Sequence, residues 1–205
     1  MPRDPYLTPY RRSHERHGTD FNVTLWANPQ TQRARFEAFT QMCFLSGKRV
    51  LDAGCSRGDF ATHMIEHHIA YGRYIGIDGL DEVIEYARTR GLPNAEFHCG
   101  DLVHDASLFA VGDPQVICIS GTLNTMSDDH VSQVLTAAWR AARETLIFNF
   151  LSDRHGPGAT PQCGPARRLN TLRLLDWAFK QTWHVGFRQD YMPDGHDATI
   201  VMRKV

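Results

Sequence analysis

The sequence predicts an α/β fold, in which a mostly parallel sheet is flanked by helices and finished by an antiparallel hairpin. From residue 49 onward, short apolar runs alternate with segments of helical pattern, which is typical of a parallel sheet covered by helices. After residue 150 the alternation ends, and two extended segments follow, joined by PDGHD, whose Asp194-Gly195 favours a hairpin turn. The length of 205 residues, with 42% hydrophobic and 22% charged residues, suits one globular domain.

The alternating part supplies five strands and three helices. The strands are predicted at residues 49–53, 74–78, 95–99, 115–120 and 145–150. The helices between them are predicted at residues 59–68, 80–90 and 128–142. The last helix follows Ser127, which suits an N-cap, and it carries Asp128 and Asp129 at the positive end of its dipole.

Two further helices flank this part. Residues 31–45 have the pattern of an amphipathic helix, and a polar arm precedes them. A loop rich in glycine and proline, residues 152–165, leads into a helix within residues 167–181. The apolar residues that recur there at helical spacing are Leu169, Leu172, Leu175 and Phe179.

The hairpin is formed by residues 184–192 and 198–205. With it, the predicted sheet has seven strands. We expect a single domain that spans the whole chain and has three parts, residues 1–46 (arm and helix), 49–150 (core) and 151–205 (loop, helix and hairpin).

Composition and charge favour some function classes over others. The net charge of −1, from 22 basic and 23 acidic residues, gives no general attraction to a polyanion, although a nucleic-acid partner stays open. No stretch approaches the roughly 18 apolar residues of a membrane helix, and the first 18 residues lack the apolar core of a secretory signal. The five cysteines form no C-x-x-C pair, which favours thiols in a reducing compartment. We expect a cytoplasmic protein with no membrane partner.

The stretch VLDAGCSRGDF, residues 50–60, is a strand that ends in a glycine-rich turn and opens a helix. Such a turn brings backbone N–H groups close to a polar or anionic ligand. Asp59 stands where the dinucleotide fingerprint G-x-G-x-x-G would continue, and the P-loop pattern is missing as well. The turn therefore predicts a nucleotide-like cofactor, but of neither of these two kinds.

Three later strand ends extend the same pocket. Asp78 ends the second strand, 20 residues beyond Gly58, where an acid accepts hydrogen bonds from ribose hydroxyls. The third strand ends in CGDL, with Asp101 and Leu102, and the fourth ends in SGTLNTM, residues 120–126. All four features fall at carboxyl ends of strands, which is where open α/β sheets bind ligands.

In this order, VLDAGCSRG, YIGIDG, FHCGDL and VICISGTLN resemble the motifs of the class I S-adenosylmethionine-dependent methyltransferases. The resemblance covers residues 49–150, and the hairpin agrees with it in architecture. It implies a Rossmann-like three-layer sandwich, S-adenosyl-L-methionine as cofactor and S-adenosyl-L-homocysteine as product. It also makes residues 49–150 the cofactor-binding core and residues 1–46 a cap over the active site.

The resemblance further implies which residues contact the cofactor. The turn would hold the methionine end, with Asp52 steadying it or reaching the amino group through water. Asp78 would take the ribose hydroxyls, Asp101 would accept from the adenine amino group, and residues 120–122 would lie beside the sulfonium. Ser56 departs from the family, which usually has glycine there, so we expect the turn to differ slightly at this position. The complete set is Asp52, Gly54, Cys55, Ser56, Gly58, Asp78, Gly79, Asp101, Leu102, Ser120, Gly121 and Thr122.

The acceptor would be enclosed by the segments before the first strand and after the fifth. Aromatic residues of the arm would cap it, and polar residues would form its floor, which suits a small, partly apolar molecule. Arg167, Arg168 and Arg173 are candidates for holding an anionic acceptor, although arginines on a helix are more often a solvated face. The capping residues are Tyr10, His17, Phe21 and Trp26, and the floor residues are Thr122, Asn124 and Asn149.

Three histidines are candidate general bases, namely His17, His155 and His196. Each lies in a segment that can fold over the carboxyl edge of the sheet, and histidine is the usual base near neutral pH. Each is more often a plain surface residue, because methyl transfer needs chiefly an in-line approach and positioning can supply most of the catalysis.

A metal site is the competing interpretation of other histidines. His63 to His67 match H-x-x-E-H, a pattern of certain zinc proteases. The pattern lies directly after the glycine turn and has no identifiable third ligand, so we predict no metal.

The sequence leaves more than one class of methyl acceptor open. The chain lacks the D/N-P-P-Y/F tetrapeptide of adenine-N6 methyltransferases after the fourth strand, and it lacks the paired cysteines of the cytosine-C5 type that acts on RNA. We therefore favour a small-molecule acceptor methylated on O, N or S. An RNA or protein methyltransferase and a non-catalytic cofactor-binding module are the alternatives, and the sequence does not predict an oligomeric state.

Overall fold

The computed structural model describes residues 5–159, 161 and 163–205. Its centre is a seven-stranded sheet in the order β3-β2-β1-β4-β5-β7-β6, in which β7 alone runs antiparallel to its neighbours. This confirms the predicted mostly parallel sheet. The strands are β1 (Arg49–Ala53), β2 (Arg73–Asp78), β3 (Ala95–Cys99), β4 (Val116–Ile119), β5 (Thr145–Leu151), β6 (Val185–Arg188) and β7 (Asp197–Arg203).

Within the described residues, six α-helices accompany the sheet, and each predicted helix is present within a few residues of its expected ends. The N-cap predicted for α5 is formed, because the Ser127 side chain accepts a hydrogen bond from the backbone of His130. The helices are α1 (Thr8–His17), α2 (Pro29–Met42), α3 (Asp59–Glu66), α4 (Asp81–Thr89), α5 (Asp128–Ala141) and α6 (Thr171–Gln181), and 3₁₀ turns lie at Phe21–Thr24, Ala106–Ala110 and Thr122–Thr125.

The sheet is covered on both faces, which gives the predicted three-layer sandwich. Along β1, Leu51 packs into the cluster that includes α5 and α6, whereas Val50 packs into the cluster that includes α2 and α3. Because successive side chains of a strand point to opposite faces, both sets must be apolar. This is why the parallel strands appear in the sequence as uninterrupted apolar runs.

Two local features differ from what the sequence indicated. The polar arm contains a helix, α1, whose sequence TPYRRSHERH has little apolar periodicity. Ser13 is the one residue of this helix that is buried. Of the four apolar residues at helical spacing, Leu169 is buried and Leu175 packs against the core, but Leu172 and Phe179 are 56% and 58% exposed. Leu174 and Ala178 of α6 are buried instead. The helix has two apolar stripes, and spacing alone could not choose which one meets the sheet.

The connection between β6 and β7 is longer than a tight hairpin. Residues 189–196 form a loop in which Gly195 has a positive φ of 60°, and its N–H donates to the carbonyl of Met192. The Asp194-Gly195 signal thus marks a turn inside this loop. None of the described helices is both long and apolar enough to cross a membrane.

Candidate active site

The carboxyl ends of β1, β2, β3 and β4 meet at one edge of the sheet and border a cavity of about 530 Å³. A volume of this size lies within the range of about 300–1,000 Å³ that is usual for small-molecule sites. The topology therefore brings together four motifs that are far apart in the sequence. The predicted cofactor residues that line the cavity are Gly54, Ser56, Asp78, Gly79, Leu102, Ser120, Gly121 and Thr122.

The glycine turn has three residues with positive φ, Gly54 (85°), Ser56 (45°) and Gly58 (73°). A Cβ atom on Gly54 would lie 2.0 Å from Oγ1 of Thr122, and that hydroxyl donates to the carbonyl of Ala53 at 3.0 Å. Glycine is thus required at position 54 by the close approach of the β4 end. Ser56 adopts a left-handed conformation that is uncommon for residues other than glycine. The serine therefore adopts the positive φ that glycine would adopt at this position.

Asp78 connects this turn to the end of β2. Its Oδ2 accepts a hydrogen bond from the Ser56 N–H at 2.9 Å, and its Oδ1 accepts one from the Leu80 N–H at 3.1 Å. Burial raises the pKa of this carboxyl group, and the backbone hydrogen bonds counteract the rise. Each carboxylate oxygen has two lone pairs, so both can still accept a hydroxyl group from the cavity.

Four predicted cofactor residues do not line the cavity as the structure describes it, namely Asp52, Cys55, Gly58 and Asp101. Asp52 lies beneath the turn, fully enclosed, and accepts a hydrogen bond from the hydroxyl group of Tyr74. Burial raises the pKa of Asp52 to about 7; the Tyr74 hydrogen bond lowers it, and the nearby Asp78 raises it further. Cys55 is buried with its pKa raised by burial, and Gly58 is the N-cap of α3.

Asp101 supports the wall of the site from outside. Its Oδ1 accepts hydrogen bonds from the Tyr6 hydroxyl at 2.5 Å and from the backbone N–H groups of Val103 and His104 at 2.9 and 3.2 Å. Burial would raise the pKa of this carboxyl group, but these hydrogen bonds outweigh it and the pKa is lowered. The carboxylate thus ties the N-terminal segment to the end of β3.

The N-terminal segment lines the cavity through Tyr6, Leu7, Tyr10 and Trp26. Two of these side chains rest directly on glycines at strand ends. A Cβ atom on Gly79 would lie 2.9 Å from the Leu7 side chain, and one on Gly121 would lie 2.3 Å from the Trp26 ring.

Some predicted cap and floor residues have other positions. Phe21, His17 and Asn149 are not part of the described cavity lining, whereas Tyr10, Trp26, Thr122 and Asn124 are. Asn149 instead fixes the turn after β4, because its Oδ1 accepts a hydrogen bond from the Gly121 N–H at 2.7 Å. Burial raises the pKa of Tyr10 to about 12, although a hydrogen bond with Thr125 opposes the rise.

Of the three candidate bases, only His196 lines the cavity in the described chain. Its Nδ1 contacts the carboxylate of Asp194. Burial would raise the pKa of Asp194, but the hydrogen bond with His196 outweighs it and the pKa is lowered. His17 lies in a shallower neighbouring cavity, and the exposed His155 has its Nδ1 2.9 Å from the carbonyl of Gly156.

A buried ion pair that the sequence did not reveal lies beside the cavity. Arg35 lines the cavity, and its Nε donates to Oδ2 of Asp197 at 2.6 Å. The guanidinium carbon lies 4.3 Å from the centre of the Trp26 ring, and the Tyr191 hydroxyl donates to Oδ1 of Asp197 at 2.8 Å. The sequence signal for this ion pair was an arginine within an amphipathic helix. Its partner stands 162 positions away, so the pair could not be found by spacing.

The three candidate arginines are separated by the fold. Arg167 and Arg173 pair with Asp128, at 2.5 and 3.0 Å, on the outside of the site. Arg168 lines the cavity, and its Nη1 donates to the carbonyls of Ser152 at 2.9 Å and His196 at 3.3 Å.

The histidines of the H-x-x-E-H match are part of the helix packing. The rings of His63 and His67 stack at 4.1 Å, and His63 also packs on Phe36. Burial and the neighbouring His67 lower the pKa of His63 to about 4. Among the described residues, no group of three or more histidine, cysteine or acidic side chains is placed to hold a metal ion.

Comparison with known proteins identifies this architecture. The family model described as "Methyltransferase domain" matches residues 50–145. Among curated proteins no sequence matches. Among solved structures, the complex of DhpI with S-adenosylhomocysteine superimposes with a TM-score of 0.69 at 16% identity, covering 96% of this chain and 94% of that one.

Two other enzymes share the fold, with similar TM-scores and sequence identities. Magnesium protoporphyrin IX methyltransferase (ChlM) from Synechocystis PCC 6803 gives a TM-score of 0.68 at 13% identity, covering 98% of this chain and 100% of that one. Phosphoethanolamine N-methyltransferase 1 from Haemonchus contortus gives 0.71 at 16% identity, covering 98% of this chain but 48% of that one. Residues 50–145 thus match a methyltransferase domain, and the chain shares the fold of these enzymes, which is consistent with the class I S-adenosylmethionine-dependent methyltransferases.

Proposed function

We propose that the protein transfers a methyl group from S-adenosylmethionine to a small molecule that is enclosed in the cavity of about 530 Å³. The observation that supports a small acceptor is the enclosure. The strand ends line one part of the cavity, and the N-terminal segment together with residues 161, 163–166 and 168 lines the rest. A molecule within such a space is shielded from water and held in one orientation, and these are the main requirements of methyl transfer.

The cavity residues fit the cofactor. Gly54 and Ser56 line the cavity at the turn, where the polar methionine end would lie. Asp78 has acceptor capacity for ribose hydroxyls, and Leu80 and Leu102 offer apolar surface for adenine. Asp101 contributes by holding Tyr6 in the cap. The bound cofactor supplies an electrophilic methyl group.

His196 is the candidate proton acceptor for an acceptor hydroxyl or amine. With Nδ1 protonated and bound to Asp194, Nε2 is the ring atom that can accept a proton. Asp194 would fix this tautomer and stabilise the charged ring when the proton arrives. His17 and His155 have no comparable position in the described cavity.

Calorimetric titration with S-adenosylhomocysteine tests the cofactor site. We expect binding by the wild-type protein, and a loss of about 1 to 3 kcal/mol in Asp78→Ala, because cofactor hydroxyls would be left unpaired. Asp81→Ala is the matched control, since Asp81 is exposed at the start of α4 and does not line the cavity. Undetectable binding by the wild-type protein would refute the proposal.

A mass-spectrometric screen of small alcohols, amines, thiols and acids tests the reaction itself. Methylated product from a small molecule, and its loss in His196→Gln, is the expected outcome. If cofactor binds but only added RNA or protein becomes methylated, the small-molecule assignment is wrong. If no acceptor of any class is methylated, a non-catalytic binding module is favoured instead.

A further inference from the structure

We propose that the methyl acceptor carries a carbonyl oxygen, in a ketone, amide, ester or carboxylate group, and that the side-chain amide of Asn124 donates a hydrogen bond to it. This inference rests on the proposed function, because it concerns the acceptor end of the same cavity. It names a chemical group of the acceptor, which the fold does not determine.

Asn124 is held in place from two sides. It lies in the 3₁₀ turn after β4, and its backbone carbonyl accepts a hydrogen bond from the Arg167 N–H at 2.8 Å. Its side-chain Oδ1 accepts a second one from the Leu151 N–H at 2.9 Å. A backbone N–H can bind only the oxygen of an amide group, so this contact also fixes which end of the side chain is the nitrogen.

The nitrogen of this amide group is the part that a ligand can use. Among the residues that the structure describes, none accepts a hydrogen bond from Nδ2 of Asn124. Asn124 is 6% exposed and lines the cavity, so the cavity is where a partner of Nδ2 can lie. A buried donor without a partner is unfavourable, and water can satisfy it in the free protein. An oxygen of the acceptor that replaces the water restores the hydrogen bond and adds a direction to binding.

Asn149 provides a comparison within the same part of the fold. It is fully buried and does not belong to the described cavity lining. Its Oδ1 accepts a hydrogen bond from the Gly121 N–H at 2.7 Å, and its Nδ2 donates to Oγ of Ser120 at 3.2 Å. Both ends of that amide group thus have partners in the protein, whereas in Asn124 the described chain binds the oxygen alone.

The neighbours of Asn124 suit contact with a methyl acceptor. Leu151 also lines the cavity, and the N–H of the next residue, Ser152, donates to the carbonyl of His196 at 2.9 Å. Thr122, two residues before Asn124, lines the cavity as well. Asn124 therefore connects the turn after β4 with the strand end beside the candidate base. A hydroxyl group bound there would bring a donor of its own that needs a further acceptor, whereas a carbonyl oxygen brings none.

The test is calorimetric titration of three probes into protein saturated with S-adenosylhomocysteine. 4-Hydroxyacetophenone carries a ketone, 4-hydroxybenzoate carries a carboxylate, and 4-isopropylphenol has a similar shape without a carbonyl oxygen. We expect at least one carbonyl probe to bind the wild-type protein about fivefold or more tightly than 4-isopropylphenol, because the latter leaves the buried amide without a partner. The ketone and carboxylate arms show whether the site prefers a neutral or a charged oxygen.

The variant Asn124→Asp separates recognition from structure. Aspartate keeps an oxygen for the Leu151 N–H, but it replaces the Nδ2 donor with a second oxygen. The preference for 4-hydroxyacetophenone over 4-isopropylphenol should therefore fall at least about fivefold. Asn170→Asp is the matched control, because Oδ1 of Asn170 also accepts a backbone N–H, at the start of α6, and Asn170 does not line the cavity. This control should bind all probes as the wild-type protein does.

Any of four results would overturn the inference. In the wild-type protein these are equal binding of the carbonyl probes and 4-isopropylphenol, or no binding of either carbonyl probe. In Asn124→Asp they are an unchanged preference, or an equal weakening of all probes, which would mean that Asn124 only supports the turn. The wild-type comparison decides by itself if that variant does not fold.

Saturation with S-adenosylhomocysteine is measured first in every protein. A failure of the wild-type protein at that step rejects the proposed function. A failure of Asn124→Asp alone would assign the amide nitrogen to the cofactor and reject only the present inference. Normal saturation with a failed probe series likewise rejects the carbonyl acceptor and leaves the proposed function intact.

Discussion

The two halves of the cavity, which we propose hold the cofactor and the acceptor, are built in different ways. The cofactor half consists of strand ends, and its contacts are made by backbone groups and glycines, such as the Ser56 N–H on Asp78 and Gly54 against Thr122. The acceptor half is assembled from residues before β1, after β5 and before β7, held by side-chain pairs such as Arg35 with Asp197. The first half follows from the sheet topology, whereas the second depends on individual long-range contacts.

Each half also contains one buried carboxylate, and the two have different partners. Asp197 in the acceptor half is bound to an arginine, whereas Asp52 beneath the cofactor half has the hydroxyl group of Tyr74. A buried charge needs a partner of opposite charge, or it becomes neutral. Variants at these two positions should therefore affect stability differently.

Asp197→Ala should have the largest effect. Removal of one partner leaves the Arg35 guanidinium buried without its counter-charge, which costs about 3 to 5 kcal/mol in the free energy of unfolding. Urea denaturation checks this value, and Asp190→Ala is the control, because Asp190 is exposed. A loss below about 1 kcal/mol would show that the ion pair does not hold the two parts together.

Asp52→Asn should change the pH dependence of stability. The folded pKa is about 7, above the ordinary value of 3.8, so the folded state holds this proton more tightly than the unfolded state. In the wild-type protein this group therefore costs stability as the pH rises from about 4 to about 7, by up to about 4 kcal/mol. Asparagine removes that loss, so the variant should gain relative to wild type between pH 5 and pH 8. Parallel urea curves at the two pH values would contradict this.

Gly54→Val should disable the cofactor half and leave the acceptor half folded. Its Cβ would need the space of the Thr122 hydroxyl, so we expect S-adenosylhomocysteine affinity to fall at least about a hundredfold, or about 3 kcal/mol. Gly47→Val is the matched control, because Gly47 also has a positive φ but has no atom within 4 Å of a built Cβ. Titration compares the two. Normal binding by Gly54→Val would place the cofactor elsewhere.

Ser56→Gly should have the smallest effect, and it should stabilise the protein. Glycine adopts a φ of 45° without strain, although it increases the entropy of the unfolded chain, so we expect a net stabilisation of up to about 1 kcal/mol. Ser46→Gly is the control, because Ser46 has no positive φ and should only lose stability. Thermal unfolding measures both. Destabilisation by Ser56→Gly would mean that the serine side chain itself stabilises the turn.

The cofactor half was largely predictable because its signals are local. Four short motifs, each next to an apolar strand, predicted eight residues that line the cavity, and the position of Ser56 as the irregular residue of the turn. Within the same motifs, Asp52 was expected to steady the turn or to reach the cofactor through water, and Asp101 to accept from adenine, whereas the structure has them bound to Tyr74 and Tyr6. A motif determines the position of a backbone segment, but not the direction in which each side chain points.

The sequence by itself determined the sheet and the order of its motifs, because apolar periodicity and glycine turns act over a few neighbouring residues, and the resemblance of those motifs to a known family indicated the cofactor. Only the tertiary structure decided that Arg168 lines the cavity while Arg167 and Arg173 do not, and that Arg35 meets Asp197. It also placed His196, alone of the three candidate histidines, in the lining of the described cavity. These choices depend on how segments that are apart in the sequence pack together, by as much as 162 positions for Arg35 and Asp197, and such packing leaves no periodic pattern in the chain.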